Sequence, residues 1–77
     1  MKVLAFGIVK EIFGRPVTDL SVEGLTAGEL KANLEHQYPR LKQLSSFMIA
    51  VNSEYATPAT LIKPGDEVAI IPPVSGG

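Results

Sequence analysis

The chain has 77 residues, 45% apolar and 19% charged, which suits one globular domain over 1–77. Seven Lys and Arg against eight Asp and Glu give a formal net charge of −1; with no basic cluster, electrostatic binding of nucleic acid is not expected. There is no cysteine, which excludes disulfides, zinc–thiolate sites and a cysteine nucleophile and fits a reducing compartment.

The first segment, "MKVLAFGIVKEIFG", superficially imitates a signal peptide. Its apolar run from Val3 to Val9 is short, meets Lys10 and Glu11, and has no small-residue cleavage pattern behind it. It also falls far below the ~20 residues that span a bilayer, so no membrane association is expected. It reads instead as a first strand, Met1 to Val9. Alternation puts Val3, Ala5, Gly7 and Val9 on one face and Leu4, Phe6, Ile8 and Lys10 on the other. A strand apolar on both faces is central in a covered sheet or is covered by a partner. "EIFGRP" is a helix-like turn punctuated by Gly14 and Pro16, and Val17 to Val22 alternates like an edge strand.

"LTAGEL" marks the clearest helix start. Thr26 is the N-cap, Glu29 completes a capping box, and Leu25 with Leu30 forms a hydrophobic staple. Ala27, Leu30 and Leu34 make an apolar stripe, extended by Tyr38, and Pro39 predicts an end near Gln37. Gly28 is expected to weaken the first turn by up to ~1 kcal/mol relative to Ala. "RLKQL" reads as a connector. Phe47 to Asn52 is a third strand, turning at Asn52-Ser53 into a short strand about Tyr55. A Pro64-Gly65 turn precedes the last strand, Glu67 to Ile71. The predicted architecture is α+β, with the main helix on one face of the sheet and the other face bare.

Side-chain chemistry is sparse. His36 is the only histidine and lies on the polar part of the helix, so no metal site is expected. Ser45-Ser46 lacks the G-x-S-x-G context of a serine nucleophile, and Asp66-Glu67 reads as a solvated turn rather than an acid–base pair. Gly65 lies in no phosphate-loop pattern. Nothing among the side chains reads as an enzyme, and no bound cofactor is implied.

The segment "IIPPVSGG" is different. Pro72 and Pro73 have no N–H, cannot extend a ladder, and favour a stiff, extended exit. From Val74 to Gly77 the chain reaches at most ~13–14 Å, at ~3.3–3.6 Å per residue. Gly76 and Gly77, without Cβ, fit a narrow channel. A rigid base with a thin tip suits delivery of a carboxylate into another protein's site; a frayed end is the plain alternative.

"PGDEVAIIPPVSGG", together with "KVLAFGIVKEIFG", "AGELKANLEHQYP" and "IAVN", resembles the small subunits of molybdopterin synthase, a family of ubiquitin-like sulfur carriers. The resemblance covers nearly the whole chain, with Gly7 and Lys10 where the family often has Ala and Arg. It implies a β-grasp fold with a mixed sheet and a flexible tail over 72–77. It also implies a chain that donates sulfur without being the catalyst. In that family the terminal carboxylate, here Gly77 next to Gly76, is adenylated by a ubiquitin-activating-type adenylyltransferase and converted to a thiocarboxylate. The loaded tail then enters the large synthase subunit and passes sulfur to a cyclic pyranopterin phosphate. The implied assembly is a cytoplasmic heterotetramer with that subunit.

On that reading Leu4, Phe6, Ile8, Ala69 and Ile71 form an outward apolar patch opposite Val3, Ala5, Val9, Val68 and Ile70. Phe6, Tyr55 and Ile71 are the expected docking anchors, with Lys10 at the rim, and Pro72, Pro73, Val74 and Ser75 are the segment that enters the partner. Two alternatives use the same terminus: a related carrier for thiamin or tRNA thiolation, and a protein modifier conjugated to lysines through Gly77.

Overall fold

The computed structural model describes residues 1–44 and 46–73. Five strands, β1 (Lys2–Ala5), β2 (Val17–Asp19), β3 (Met48–Val51), β4 (Glu54–Tyr55) and β5 (Val68–Ile71), form one mixed sheet in the order β2-β1-β5-β3-β4. The central pair, β1 and β5, is parallel, and every other pairing is antiparallel. Helix α2 (Ala27–Gln37) carries the chain from β2, beside β1, across to β3, beside β5, within the long connection between the parallel strands. Its Leu30 and Leu34 join Val3, Ala5, Ile49, Val51, Val68 and Ile70 in one core. Val3, Val68 and Ile70 are wholly buried, each stabilising the fold by about 1.5–3 kcal/mol.

The start of α2 has every early backbone donor matched. Glu29 N–H donates to Thr26 Oγ1 at 3.2 Å, and Thr26 N–H donates to Glu29 Oε1 at 2.9 Å, which is the predicted capping box. Ala27 N–H donates to the Thr60 carbonyl at 2.8 Å and Gly28 N–H to the Pro58 carbonyl at 3.0 Å. The loop before Leu61 therefore caps the helix that the sequence caps only in part. This contact also explains Gly28. A Cβ there would lie 3.1 Å from the Pro58 carbonyl oxygen and 3.2 Å from Pro58 Cβ. Gly28→Ala should consequently forfeit the ~1 kcal/mol that alanine ordinarily adds to a helix, and urea unfolding should show a lower midpoint than the parent.

The first strand is shorter than the apolar run predicts. β1 stops at Ala5, and Gly7–Phe13 forms a second helix, α1. Gly7 has φ +54°, a left-handed value that breaks the strand and that a β-branched residue adopts only under strain. Beyond it the apolar side chains follow helical spacing: Val9 and Phe13, four apart, are buried, and Ile8 and Ile12 pack beside them. Val9 thus reaches the core as expected, but from a helix. Ile8 packs against the core and does not belong to the outward sheet face. Gly14 ends α1, its N–H donating to the Lys10 carbonyl at 2.9 Å. Phe13 stacks on Tyr38 with ring centroids 4.5 Å apart, tying α1 to the end of α2. The "RLKQL" connector forms most of a 3-10 helix, Pro39–Gln43, with Leu44 as its C-cap.

The remaining turns form as read. Asn52 (φ +54°) and Ser53 (φ +68°) make the two-residue hairpin between β3 and β4, whose twist matches that of the strands. Asp66 N–H closes the Pro64-Gly65 turn onto the Lys63 carbonyl at 3.1 Å.

Candidate docking face and tail root

Both helices lie with the buried side of the sheet, and strand register defines what the other side presents. Leu4 is paired with Ala69 and with Val17, Ala69 with Ala50, Ala50 with Tyr55, and Ile71 with Met48. Directly paired residues share a face, so these side chains form one outward surface. Leu4, Phe6, Ala50, Tyr55, Ala69 and Ile71 line a shallow depression of about 390 Å³, closed at the end away from the tail by Ser53 and Glu67. Phe6 is 47% exposed and Tyr55 66%, against 0% for Val3 and Ile70 on the buried side. Contiguous exposed aromatic and aliphatic surface of this kind marks an interaction site.

The three expected anchors, Phe6, Tyr55 and Ile71, are therefore brought together. Lys10, the expected rim residue, does not line the depression itself; it is exposed on α1, one turn beyond Phe6, with its N–H donating to the Phe6 carbonyl at 3.3 Å. Two surface residues escaped the sequence reading. Met48 pairs with Ile71 at the tail end, and Val17 pairs with Leu4 on the edge strand; both are exposed. Period-two alternation already held the signal for Met48, since it falls two residues from Ala50.

β5 connects this face to the tail. Val68 and Ile70 point into the core, Ala69 and Ile71 point to the face, and the strand ends at Ile71. Pro72 and Pro73 follow, half-buried and unable to continue the ladder. The expected partner-entering residues Val74 and Ser75, and the expected reactive pair Gly76 and Gly77, lie outside the described residues.

The far end of the face is held by a polar pin between two turns. Asn52 Nδ2 donates to Asp66 Oδ1 at 3.0 Å, Glu67 N–H donates to Asn52 Oδ1 at 2.9 Å, and Lys63 N–H donates to Asp66 Oδ2 at 2.8 Å. The backbone bond from Lys63, then the amide of Asn52, holds the Asp66 carboxyl below its ordinary range. A depressed folded-state pKa stabilises above the unfolded value, and that contribution disappears as pH falls through the folded one. The contribution of Asp66 to the urea midpoint should therefore be full and independent of pH above about pH 5 and decline below about pH 4. Part of that acid slope should vanish in Asp66→Asn, as read by unfolding curves at several pH values.

Among the described residues no cluster of three His, Cys, Asp or Glu could hold a metal, and no helix is long and apolar enough to cross a membrane.

The ThiS family profile matches residues 3–77, all but the first two positions. This chain belongs to the ThiS family. Among curated relatives, a molybdopterin synthase sulfur carrier subunit from Dictyostelium discoideum is 42% identical over 99% of this chain and 94% of its own. One of the same description from Mycobacterium tuberculosis is 39% identical over 100% and 96%. Solved ThiS-like structures agree on the ubiquitin-like β-grasp fold. A Pyrococcus furiosus chain, at 24% identity, superposes with a TM-score of 0.81 over 95% of both chains. The small archaeal modifier protein 1 of Methanosarcina acetivorans is 30% identical, with a TM-score of 0.77 over 99% and 94%. A chain in the Helicobacter pylori complex of subunits 1 and 2 of molybdopterin-converting factor is 27% identical, with a TM-score of 0.66 over 99% and 96%.

Proposed function

We propose that this ThiS-family chain is the sulfur carrier in molybdenum cofactor biosynthesis, acting through the carboxylate of Gly77. The observation that carries the reading is the joining of two features on β5: Ile71 belongs to the bare apolar face, and the Pro72-Pro73 exit begins at the next residue. A partner that covers the face therefore receives the tail at a defined place. The molybdopterin synthase sulfur carrier subunits among its relatives supply the chemistry.

A carboxylate is a poor electrophile. In the proposed first step a ubiquitin-activating-type adenylyltransferase uses ATP, one Gly77 oxygen attacking the α-phosphorus and pyrophosphate leaving. A hydrosulfide equivalent then attacks the acyl carbon, AMP departs, and Gly77 carries a thiocarboxylate. The loaded chain docks its sheet face on the large synthase subunit, and the tail donates sulfur there to a cyclic pyranopterin phosphate. The Helicobacter pylori complex supports a large-subunit partner; a cytoplasmic assembly of two carriers with two large subunits is the expected form. The carrier contributes the reactive terminus and the docking face, and catalytic side chains come from its partners.

A second reading is favoured by the likeness to the Methanosarcina modifier protein. A lysine amine attacking the same adenylate would give an isopeptide at Gly77. Intact and tandem mass spectrometry of the chain co-expressed with an adenylyltransferase of this type separates the two. The carrier reading predicts replacement of one oxygen by sulfur in the terminal residue. An unmodified terminus, or Gly77 recovered only as an isopeptide on lysines, would refute it.

A further inference from the structure

We infer that the groove between α2 and the outer edge of β3 receives an extended segment of another protein, apolar at alternate positions and carrying a carboxylate, which adds to β3 as a further strand. β3 has four residues and β4 only two, so β4 covers part of that edge. Ala50 pairs with Tyr55 and Val51 with Glu54, and Ala56 N–H then donates to the Ile49 carbonyl at 2.8 Å. Past that bond the chain turns off to cap α2, its Pro58 and Thr60 carbonyls accepting from Gly28 and Ala27. Asn52 N–H donates to the Glu67 carbonyl, so by alternation Ala50 and Met48 serve β5 while Ile49 serves the outer edge. Among the described residues the Ile49 N–H makes no backbone hydrogen bond, and neither the N–H nor the carbonyl of Phe47 makes one. Unpaired backbone groups along an edge are a template for another strand.

The surroundings of the edge specify what that strand carries. Ala27, Gly28 and Lys31 of α2 line, with Phe47, Ile49 and Pro58, a groove of about 200 Å³. That is below the ~300–1,000 Å³ typical of small-molecule sites and suits peptide side chains. The wall at Pro58 is fixed by its bond to Gly28, so the groove is formed in advance. Lys31 is the one ionisable residue among the described lining, and its Nζ lies 5.2 Å from the centroid of the Phe47 ring, which holds the ammonium there. The first donors of α2 are already taken by Thr60, Pro58 and Thr26 Oγ1, so an arriving carboxylate meets Lys31 and not the helix end. A second copy of this chain matches poorly. A two-fold contact sets the same lining on both sides, which adds another Lys31 and no carboxylate. The groove lies on the helix side of the sheet edge, whereas Leu4, Phe6 and Ala69 line the open face. A protein held at this edge leaves them uncovered, so the contact goes beyond the sulfur chemistry and stands without it.

The test titrates the isotope-labelled full-length chain with a synthetic heptapeptide of alternating valine and threonine flanked by aspartates, and with the same peptide flanked by lysines. The aspartate-flanked peptide should shift the NMR amide signals of Gly28, Lys31, Phe47 and Ile49 and leave those of Leu4 and Ala69 in place. The Ile49 amide should exchange with solvent faster than the Ala50 amide in the free chain and become protected in the complex. The lysine-flanked peptide should bind about fivefold more weakly at low salt, as an exposed ion pair allows. Lys31→Glu should reverse that order; Lys31 is exposed, and an unchanged urea midpoint checks that the variant is folded. Absence of shifts at millimolar peptide, shifts on the open face in place of the groove, an Ile49 amide already protected in the free chain, or equal affinity for the two peptides would overturn the proposal. Groove shifts that grow with the chain's own concentration, without peptide, would assign the edge to a second copy and overturn it as well.

Discussion

Deleting Gly77 is expected to abolish sulfur transfer while leaving the urea midpoint within experimental error. The proposed reaction needs a terminal acyl carbon at a fixed depth in two different partner sites. Removing one residue leaves a carboxylate of the same chemical type on Gly76, drawn back by ~3.3–3.6 Å. Near-attack geometry requires the reacting atoms within about 3–3.5 Å, and losses of ~100-fold accompany errors of only ~1 Å. A retraction of a full residue therefore leaves no measurable rate. Stability should not follow, because the buried anchors of β5 are Val68 and Ile70, well before the tail. Glycine has no side chain to bury. The measurement pairs a single-turnover transfer assay with an unfolding curve on the same sample. Gly77→Ala keeps the reach and adds one methyl, so it should retain a fraction of the rate.

The second large effect is expected from Phe6→Asp, which should break docking without harming the fold. Phe6 is the N-cap residue of α1, with extended backbone (φ −129°, ψ 155°), and its side chain makes no capping hydrogen bond. Aspartate is among the best residues at that position. Its carboxylate can accept from the open N–H groups of the first turn, where a cap replaces a non-capping residue at a gain of about 0.5–2 kcal/mol. On the partner-facing side the same change removes an exposed aromatic ring and places a charge in an apolar contact. Buried aromatic anchors of interfaces are worth about 2 kcal/mol or more each, and an unpaired charge adds to that. The dissociation constant for the large subunit should rise at least ~30-fold, since every 1.4 kcal/mol is tenfold. Thermal or urea stability should be unchanged or slightly higher. Isothermal titration calorimetry with an unfolding curve checks both, and Tyr55→Ala, also exposed on this face, should weaken docking in the same direction.

Local chemistry made much of the fold legible. Thr26 and Glu29 satisfy each other's neighbouring donors, and Pro39 restricts Tyr38, so both ends of α2 could be placed from side-chain rules alone. The Asn52-Ser53 and Pro64-Gly65 turns carry their own signals. α1 was not legible in the same way. Val3 to Val9 is apolar at almost every position, which fits a strand covered on both sides as well as it fits a strand followed by a buried helix. The deciding feature is one dihedral angle at Gly7, supported by the four-residue spacing of Val9 and Phe13.

The docking face was partly legible for a related reason. Alternation in β5 separates Val68 and Ile70 from Ala69 and Ile71 without any knowledge of register. Joining Tyr55 to Phe6 and Ile71 requires the order of strands, which is a long-range property. Ile8 was misassigned to the outward face because extending β1 past Ala5 carries the alternation into residues that are helical. The close approach of Gly7 to Pro72, and of Gly28 to Pro58, leaves no mark in either local sequence beyond the glycine itself.

Whether Gly77 carries sulfur to a partner docked on the open sheet face is decided by a label chase. The chain is loaded with radioactive sulfur at its terminal thiocarboxylate and mixed with the large synthase subunit and cyclic pyranopterin phosphate in a single turnover. The label should leave the chain and appear in the pterin product, with Gly77 recovered as a carboxylate and transfer lost in Phe6→Asp at sub-saturating partner. Label that stays on the chain, or transfer that proceeds undiminished with the face disrupted, would contradict it.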